Sequence, residues 1–360
     1  MKRLLGLDAL RGFTVAGMIL VNVPGSWSHV YAPLLHAKWN GLTLADLVFP
    51  FFIFIMGVSI VLAFSKILEK GTSKQLIITK VIKRSITIFV LGLILNLISY
   101  RFQEFRIPGV LQRIAIVYLT VSLLYICCKV QLIYIIGGIL LIGYWLLMVF
   151  VPIPGEPIAS LEPVTNWSNY IDSLVIPFKM YGGTWDPEGL LSTLPSIASA
   201  IAGVFVAEII RKNKLTIQGV RLMLLSGLAF ATIGGVWAFS FPVNKNLWSS
   251  SYVMLTAGIA TLILALFIYM IDMRQKQKWA QVGLHFGANA ISAYVLHYLL
   301  IIPLSWISIS GKSIQEWFMY ALPNMGCPHK LASFIWAISF IVICYLPIRL
   351  MYQRKIFIKI

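Results

Sequence analysis

Apolar runs long enough to cross a bilayer follow one another from end to end of this 360-residue chain. They fall at roughly 7–27, 44–65, 80–100, 109–128, 131–151, 190–210, 220–240, 251–271, 281–305 and 331–351. A helix needs about 20 residues to span a hydrocarbon core of ~30 Å. Backbone groups in lipid must find partners inside their own segment or in a closed barrel, and these runs lack the alternation of barrel strands. The composition agrees: 59% hydrophobic and 11% charged, against about 25% charged in a soluble domain. The expected fold is all-α: a polytopic helical membrane protein of about ten transmembrane helices. It forms a single transmembrane domain over 1–360 with an extracytoplasmic loop at 152–189.

The net charge of +17 is distributed in a way that argues against nucleic acid as partner, because Lys and Arg punctuate the apolar runs instead of forming one patch. With the N-terminus in the cytoplasm, 21 of the 29 basic residues fall on the inner side, Lys2 and Lys359 among them. Eight fall outside: Lys38, Arg101, Arg106, Arg113, Lys179, Lys245, Lys312 and Lys330. This is the positive-inside asymmetry, and it predicts an even number of spans with both termini cytoplasmic. The opening MKRLLGLDALRG is read as part of the first span and not as a signal peptide, since Asp8 and Arg11 interrupt it and no small-x-small site follows. Asp8 and Arg11, three apart, are placed to pair on one helix face. The four cysteines have no metal-ligand spacing and imply neither zinc nor a disulfide framework.

The most informative stretch is HAKWNGLTLADLVFPFFIFIMG, residues 36–57. It sets His36, Lys38, Trp39, Asn40 and Asp46 at the outer mouth of a span, where polar groups are costly unless they pair or act. Asn22 lies toward the outer end of span one. Arg101, Arg106, Gln112 and Arg113 lie at or near the outer end of span four. Asn289 and His297 are about two turns apart in span nine, near one face. Asp186 and Glu188 lead into span six, and Lys245, Asn246 and Trp248 close the loop before span eight. Polar groups from distant segments thus converge on one level of the bilayer, which calls for a cavity. The loop at 152–189, rich in Pro, Gly, Trp and acid, has the length of a lid or binding element. Its aromatics suit a sugar, and an interfacial Trp belt is the other reading. An imidazole acts as base or nucleophile, an Asn stabilises an oxyanion, and Arg and Lys hold phosphates. This inventory suits acyl transfer better than hydride or metal chemistry, while a transporter also uses buried His, Asn and Arg.

The motifs LDALRGFTVAGMILVN, HAKWNGLTLADLVFPFFIFIMGVSI, RIPGVLQRIAIVYL, WDPEGLLSTLPSI, PVNKNLWSSSYV and NAISAYVLH, in that order, resemble those of the heparan-α-glucosaminide N-acetyltransferase family. The resemblance runs from about residue 5 to 300. It implies transfer of acetyl from acetyl-CoA, the donor, to the amine of a terminal glucosamine across the membrane, with no metal. It places the active-site His at His36 and the active-site Asn at Asn22. The segment between them, NVPGSWSHVYAPLLH, is longer than the family's Gly-rich form, and it contains a second histidine, His29, without the W-N-G context. The family's lysosomal enzyme carries a luminal domain and an extra span ahead of this region. Their absence here gives the expectation of a bacterial inner-membrane protein.

On this reading the acetyl-CoA arm enters from the cytoplasm, Asn22 stabilises the oxyanion, and His36 takes the amine proton or accepts acetyl first. Asp46 orients His36, binds sugar hydroxyls, or simply caps its helix. Lys38, Trp39, Asn40, Asp186, Glu188, Lys245, Asn246, Trp248, Asn289 and His297 are assigned to the acceptor. Lys83, Arg84, Gln112 and Arg113 are assigned to acetyl-CoA, with Arg113 alternatively binding substrate or pairing with an acid such as Glu188. The partners are then an amino sugar or glycan end, acetyl-CoA and membrane lipid, with a homodimer left open. Rival readings are an acyltransferase for another exported glycan and a non-enzymatic sugar permease.

Overall fold

The computed structural model describes residues 3–358, so Lys2 and Lys359 of the inner charge set lie outside the described residues. Among those described, the helices in chain order are α1 Leu5–Asn22, α2 Leu44–Glu69, α3 Lys74–Ser99, α4 Val110–Cys127, α5 Val130–Phe150, α6 Trp167–Val175 and α7 Thr193–Asn213. They continue with α8 Ile217–Trp237, α9 Ser250–Phe267, α10 Gln281–Ala288, α11 Ala290–Trp306, α12 Ile314–Asn324 and α13 His329–Gln353. A two-stranded hairpin, β1 Ser308–Ile309 with β2 Lys312–Ser313, precedes α12. The chain is an all-α polytopic membrane protein.

Nine helices among the described residues are long and apolar enough to cross a bilayer: α1 to α5, α7, α8, α9 with its π-helical continuation to Met273, and α13. The run expected as one span over 281–305 is instead two helical pieces, Lys278–Ala288 and Ala290–Leu304, bent by 77°. Counting that pair as one broken span restores ten. The break falls at Asn289, whose backbone leaves the helix at φ −129° and ψ 45°. Its side chain is bound elsewhere: Nδ2 donates to Ile356 O (3.1 Å), and Oδ1 accepts from Ile358 N (3.3 Å).

The chain divides into two compact units. The first comprises residues 1–37, 43–48 and 267–360. In it α1 packs on α10 with backbones in contact. A Cβ at Gly12 would lie 1.8 Å from Gly283 O, and one at Gly287 would lie 1.8 Å from Asp8 O. Small residues at such crossings give van der Waals contact that lipid does not supply. Asp272 accepts from Leu5 N (2.9 Å) and Gly6 N (2.8 Å), satisfying two of the first amides of α1. Asp8 pairs with Arg11 as its spacing predicts (2.9 Å), and also with Arg3 (2.5 Å).

The second unit comprises residues 38–42 and 49–266. Here α7 packs on α4, α5 and α8. Its sequence TLPSIASAIAGVFVAE explains this, since a helix rich in Ser, Ala and Gly admits neighbours on several faces and is buried along nearly its whole length. The long segment before α7 contains the short helix α6, N-capped by Asn166 Oδ1 accepting from Asn169 N (3.0 Å).

Candidate functional site

The first unit holds the histidine pair that the HAKWNG motif suggests. Asp46 sits in the first turn of α2, 1% exposed. One oxygen, Oδ1, meets His36 Nδ1 at 2.7 Å. The other accepts from Ala37 N (3.0 Å), Thr43 N (3.1 Å) and Thr43 Oγ1 (3.0 Å). The Thr43 N bond is half of a capping box, a carboxylate reaching back to the amide that opens its own helix. One carboxylate therefore both caps α2 and holds His36. An ionised carboxylate only accepts, so Nδ1 is the donor, and in the neutral ring Nε2 carries the lone pair. The His36 side chain is 40% exposed, open enough for a reacting group to approach.

Asn22 is the last residue of α1 and is exposed. The segment after it is fastened down. Gly25 N donates to Ser333 O (3.2 Å), Ser26 N to Ser333 Oγ (3.0 Å), and Gln315 Nε2 to the carbonyls of Pro24 (2.8 Å) and Gly25 (3.0 Å). His29 has a different setting from His36. Its ring stacks on His329 at 4.7 Å and its Nδ1 lies 3.3 Å from Ser26 Oγ. The two residues assigned to the acceptor from span nine are also committed. Asn289 holds the backbone of residues 356–358, and buried His297 donates from Nδ1 to Tyr294 O.

The second unit gathers most of the remaining assigned residues. Trp39 Nε1 donates to Leu161 O (3.0 Å), and its ring meets Trp185 edge-on at 5.4 Å; both rings are half-buried. Asn40 Oδ1 accepts from Asn244 Nδ2 (3.1 Å), and Gly41, at φ +121°, donates to Val243 O (2.7 Å). The W-N-G turn is thus pinned to the turn ahead of α9. Lys38 is exposed, and Lys245 and Asn246 are half-buried. Trp248 has no exposed surface. Its Nε1 donates to Ser199 Oγ (3.0 Å), and Arg113 lies over its ring at 5.0 Å.

Asp186 and Glu188 are brought together by Arg106. Its Nε and Nη2 clasp Asp186 at 2.8 and 2.7 Å, and Nη2 also reaches Glu188 at 2.7 Å. Burial opposes the Arg106 charge, but the hydrogen bonds and fields of the two carboxylates outweigh it and raise its pKa. Glu188 therefore pairs with Arg106. The side chain of Arg113 donates instead to Gly189 O (3.0 Å) and Ser192 Oγ (2.5 Å). Gln112 is buried beside Gly92 and Gly109. Lys83 and Arg84 are exposed on α3, with the Arg84 guanidinium 5.0 Å from the Tyr118 ring centre.

Sequence reasoning passed over Asn169 and Asp172 of α6 and Glu208 of α7, all buried. Glu208 accepts from Tyr125 (3.0 Å) and Arg211 (2.9 Å). The signal for Glu208 was a lone acid inside an apolar run. That for α6 was an Asn cap followed by a short amphipathic turn within what read as loop.

Comparison with known proteins follows the same residues. The family model described as "Heparan-alpha-glucosaminide N-acetyltransferase, catalytic" matches residues 3–235. Human heparan-alpha-glucosaminide N-acetyltransferase is 30% identical over 99% of this chain and 60% of its own length. The mouse enzyme is 29% identical over 100% of this chain and 61% of its own. The chain thus spans about three fifths of the length of these curated relatives. With its family match covering His36, Asp46 and the polar residues around Arg106, the chain belongs to the heparan-alpha-glucosaminide N-acetyltransferase catalytic family.

Proposed function

We propose that this chain is a transmembrane acetyltransferase that moves acetyl from cytoplasmic acetyl-CoA to the amine of a glucosamine-type sugar on the outer side. The observation that carries the reading is the His36–Asp46 pair: a partly exposed imidazole whose Nδ1 proton is held by a buried carboxylate. This pair fits a thioester substrate, because a ring whose Nδ1 donates to a carboxylate has Nε2 as its proton-accepting or nucleophilic atom.

In the direct route the sugar nitrogen attacks the thioester carbonyl carbon, the C–S bond breaks, and coenzyme A leaves as its thiolate. The amine proton passes to His36 Nε2. In the two-step route Nε2 first forms the bond to the acetyl carbon as the C–S bond breaks and the thiolate leaves. The amine then attacks that carbon, the Nε2–C bond breaks, and the amine proton passes to the freed Nε2. Asn22 donates to the oxyanion in either route, a contribution of about 3 kcal/mol in comparable sites. Trp39 and Trp185 offer aromatic surface to the sugar, and Lys38, exposed and next to Trp39 in sequence, serves its polar groups. Lys83 and Arg84 meet the nucleotide phosphates at the inner side. Both termini are cytoplasmic, a reading that the Lys and Arg distribution supports.

Purified protein given labelled acetyl-CoA and glucosamine tests the reading. Coenzyme A release that requires the amino sugar and disappears in His36→Ala is the expected result. Sugar uptake by vesicles without acetylation would overturn it in favour of a permease. Acetyl trapped on His36 before acceptor is added selects the two-step route, and its absence on rapid quench selects direct attack.

A further inference from the structure

Three buried polar side chains of the second unit have hydrogen-bonding capacity that is only partly used. Arg113, 1% exposed, commits Nη2 to Gly189 O and Ser192 Oγ, while Nε and Nη1 have no hydrogen-bond partner in the protein. Asp172, 0% exposed, accepts at Oδ1 from Leu190 N (2.8 Å), while Oδ2 has no partner. Asn169, 4% exposed, has none at Nδ2. Asn169 and Asp172 are three apart on α6 and so share a face.

Gly189 links them. Its carbonyl receives Arg113, and its Cα lies so close to the Asp172 carboxylate that a Cβ would sit 1.8 Å from Oδ2. The guanidinium and the carboxylate therefore flank the same residue, yet they form no ion pair within 4.0 Å. Each orphaned buried group carries a desolvation cost that no protein partner offsets, and the cost is greater when the group is charged. Unpartnered buried groups of this kind call for a partner, an ordered water or a ligand.

The chemistry of a complementary ligand follows from the set. Arg113 and Asn169 require acceptors, and Asp172 requires a donor. An ammonium would meet the guanidinium, a phosphate or carboxylate would meet Asp172, and an apolar group would leave every orphan in place. A hydroxyl supplies one donor and two lone pairs on a single oxygen. We propose that Arg113, Asn169 and Asp172 form an internal hydroxyl-binding site that takes either an ordered water or one hydroxyl of a sugar. In it the O–H donates to Asp172 Oδ2, and the oxygen accepts from Arg113 and Asn169.

A density map of the full chain at a resolution that reveals ordered water, recorded without sugar or acetyl donor, tests this independently of acetyl transfer. The expected result is a discrete peak in hydrogen-bond range of Asp172 Oδ2 and of a nitrogen of Arg113 or Asn169. A direct Arg113–Asp172 ion pair with nothing between would overturn the proposal. A second map with glucosamine distinguishes the sources: an unchanged peak assigns water, and a sugar oxygen in its place assigns the substrate. Thermal unfolding of Asn169→Leu, which keeps both charges, supplies a second readout with glucosamine as the probe. A glucosamine-dependent rise in Tm lost in this variant supports the sugar source. Full occlusion of the orphans by rearranged side chains in the wild-type map counts against the site whatever the variant does.

Discussion

At Asp46 a single carboxylate closes the first turn of α2 and sets the His36 ring, so its substitutions separate two effects. Asp46→Asn retains an acceptor for the capping amides but no longer forces the proton onto Nδ1. By analogy with Asp-to-Asn changes in triads, where turnover falls about 10⁴-fold, acetyl transfer should fall by about 10³-fold in kcat with little change in KM for acetyl-CoA. Steady-state kinetics on folded protein checks this, and a loss under about tenfold would mean that the ring is oriented by something else. Asp172 gives the pH prediction. Burial pushes its carboxyl up to about 6, the amide of Leu190 and the charge of Arg113 pulling it down and Asp186 adding to the rise. The native state then binds the proton more tightly than the unfolded chain. This contribution is full below the unfolded pKa near 4 and is lost as pH rises through about 6. Thermal unfolding from pH 4 to 7 should therefore show Tm decline over that window, and Asp172→Asn should flatten the decline.

Between elements, the α1–α10 contact and the break at Asn289 are the two features most exposed to test. Gly287→Val would drive a side chain into Asp8 O and Gly12 N, which a Cβ already approaches to 1.8 and 3.1 Å. Overpacking of this kind should lower stability by about 3 kcal/mol, read as Tm in detergent. Gly138→Ala on α5, where an added Cβ meets nothing within 4 Å, is the matched control. It should leave Tm unchanged or raise it by the ~0.5–1 kcal/mol that Ala gains over Gly in a helix. Asn289→Ala removes both hydrogen bonds to the tail, worth about 1 kcal/mol each. Trypsin should then cut at Arg354 or Lys355 faster than in the parent; equal rates would mean that the tail is held by other contacts.

For the whole molecule the testable quantity is topology. On the proposed topology the segment that contains α6 is external, so a reporter fused after residue 165 should read as outside. A cytoplasmic signal would overturn the proposed ten-span map and, with it, the proposed route by which donor and acceptor arrive from opposite sides. The bent pair at 278–304 is where such a map is most sensitive, since the number of crossings depends on whether those two pieces traverse together.

The apolar runs by themselves determined the class and the positions of the long helices, because lipid acts on each segment separately and demands an internally bonded helix wherever water is excluded. The HAKWNG motif likewise revealed its histidine and the acid ten residues on, since both lie at one helix entrance and their pairing is local. What the sequence left open was decided by partners far along the chain. Asn289 read as a ligand residue in a straight span, yet the tail 67 residues later claims its amide and the helix breaks there. The sequence assigns Arg113 to acetyl-CoA, with binding substrate or pairing with an acid such as Glu188 as alternatives, but Arg106 takes that acid. Gly189 and Ser192 receive the Arg113 guanidinium instead. Buried polar groups take whichever partners the assembled helices bring within about 3 Å, and that choice exists only in the tertiary structure.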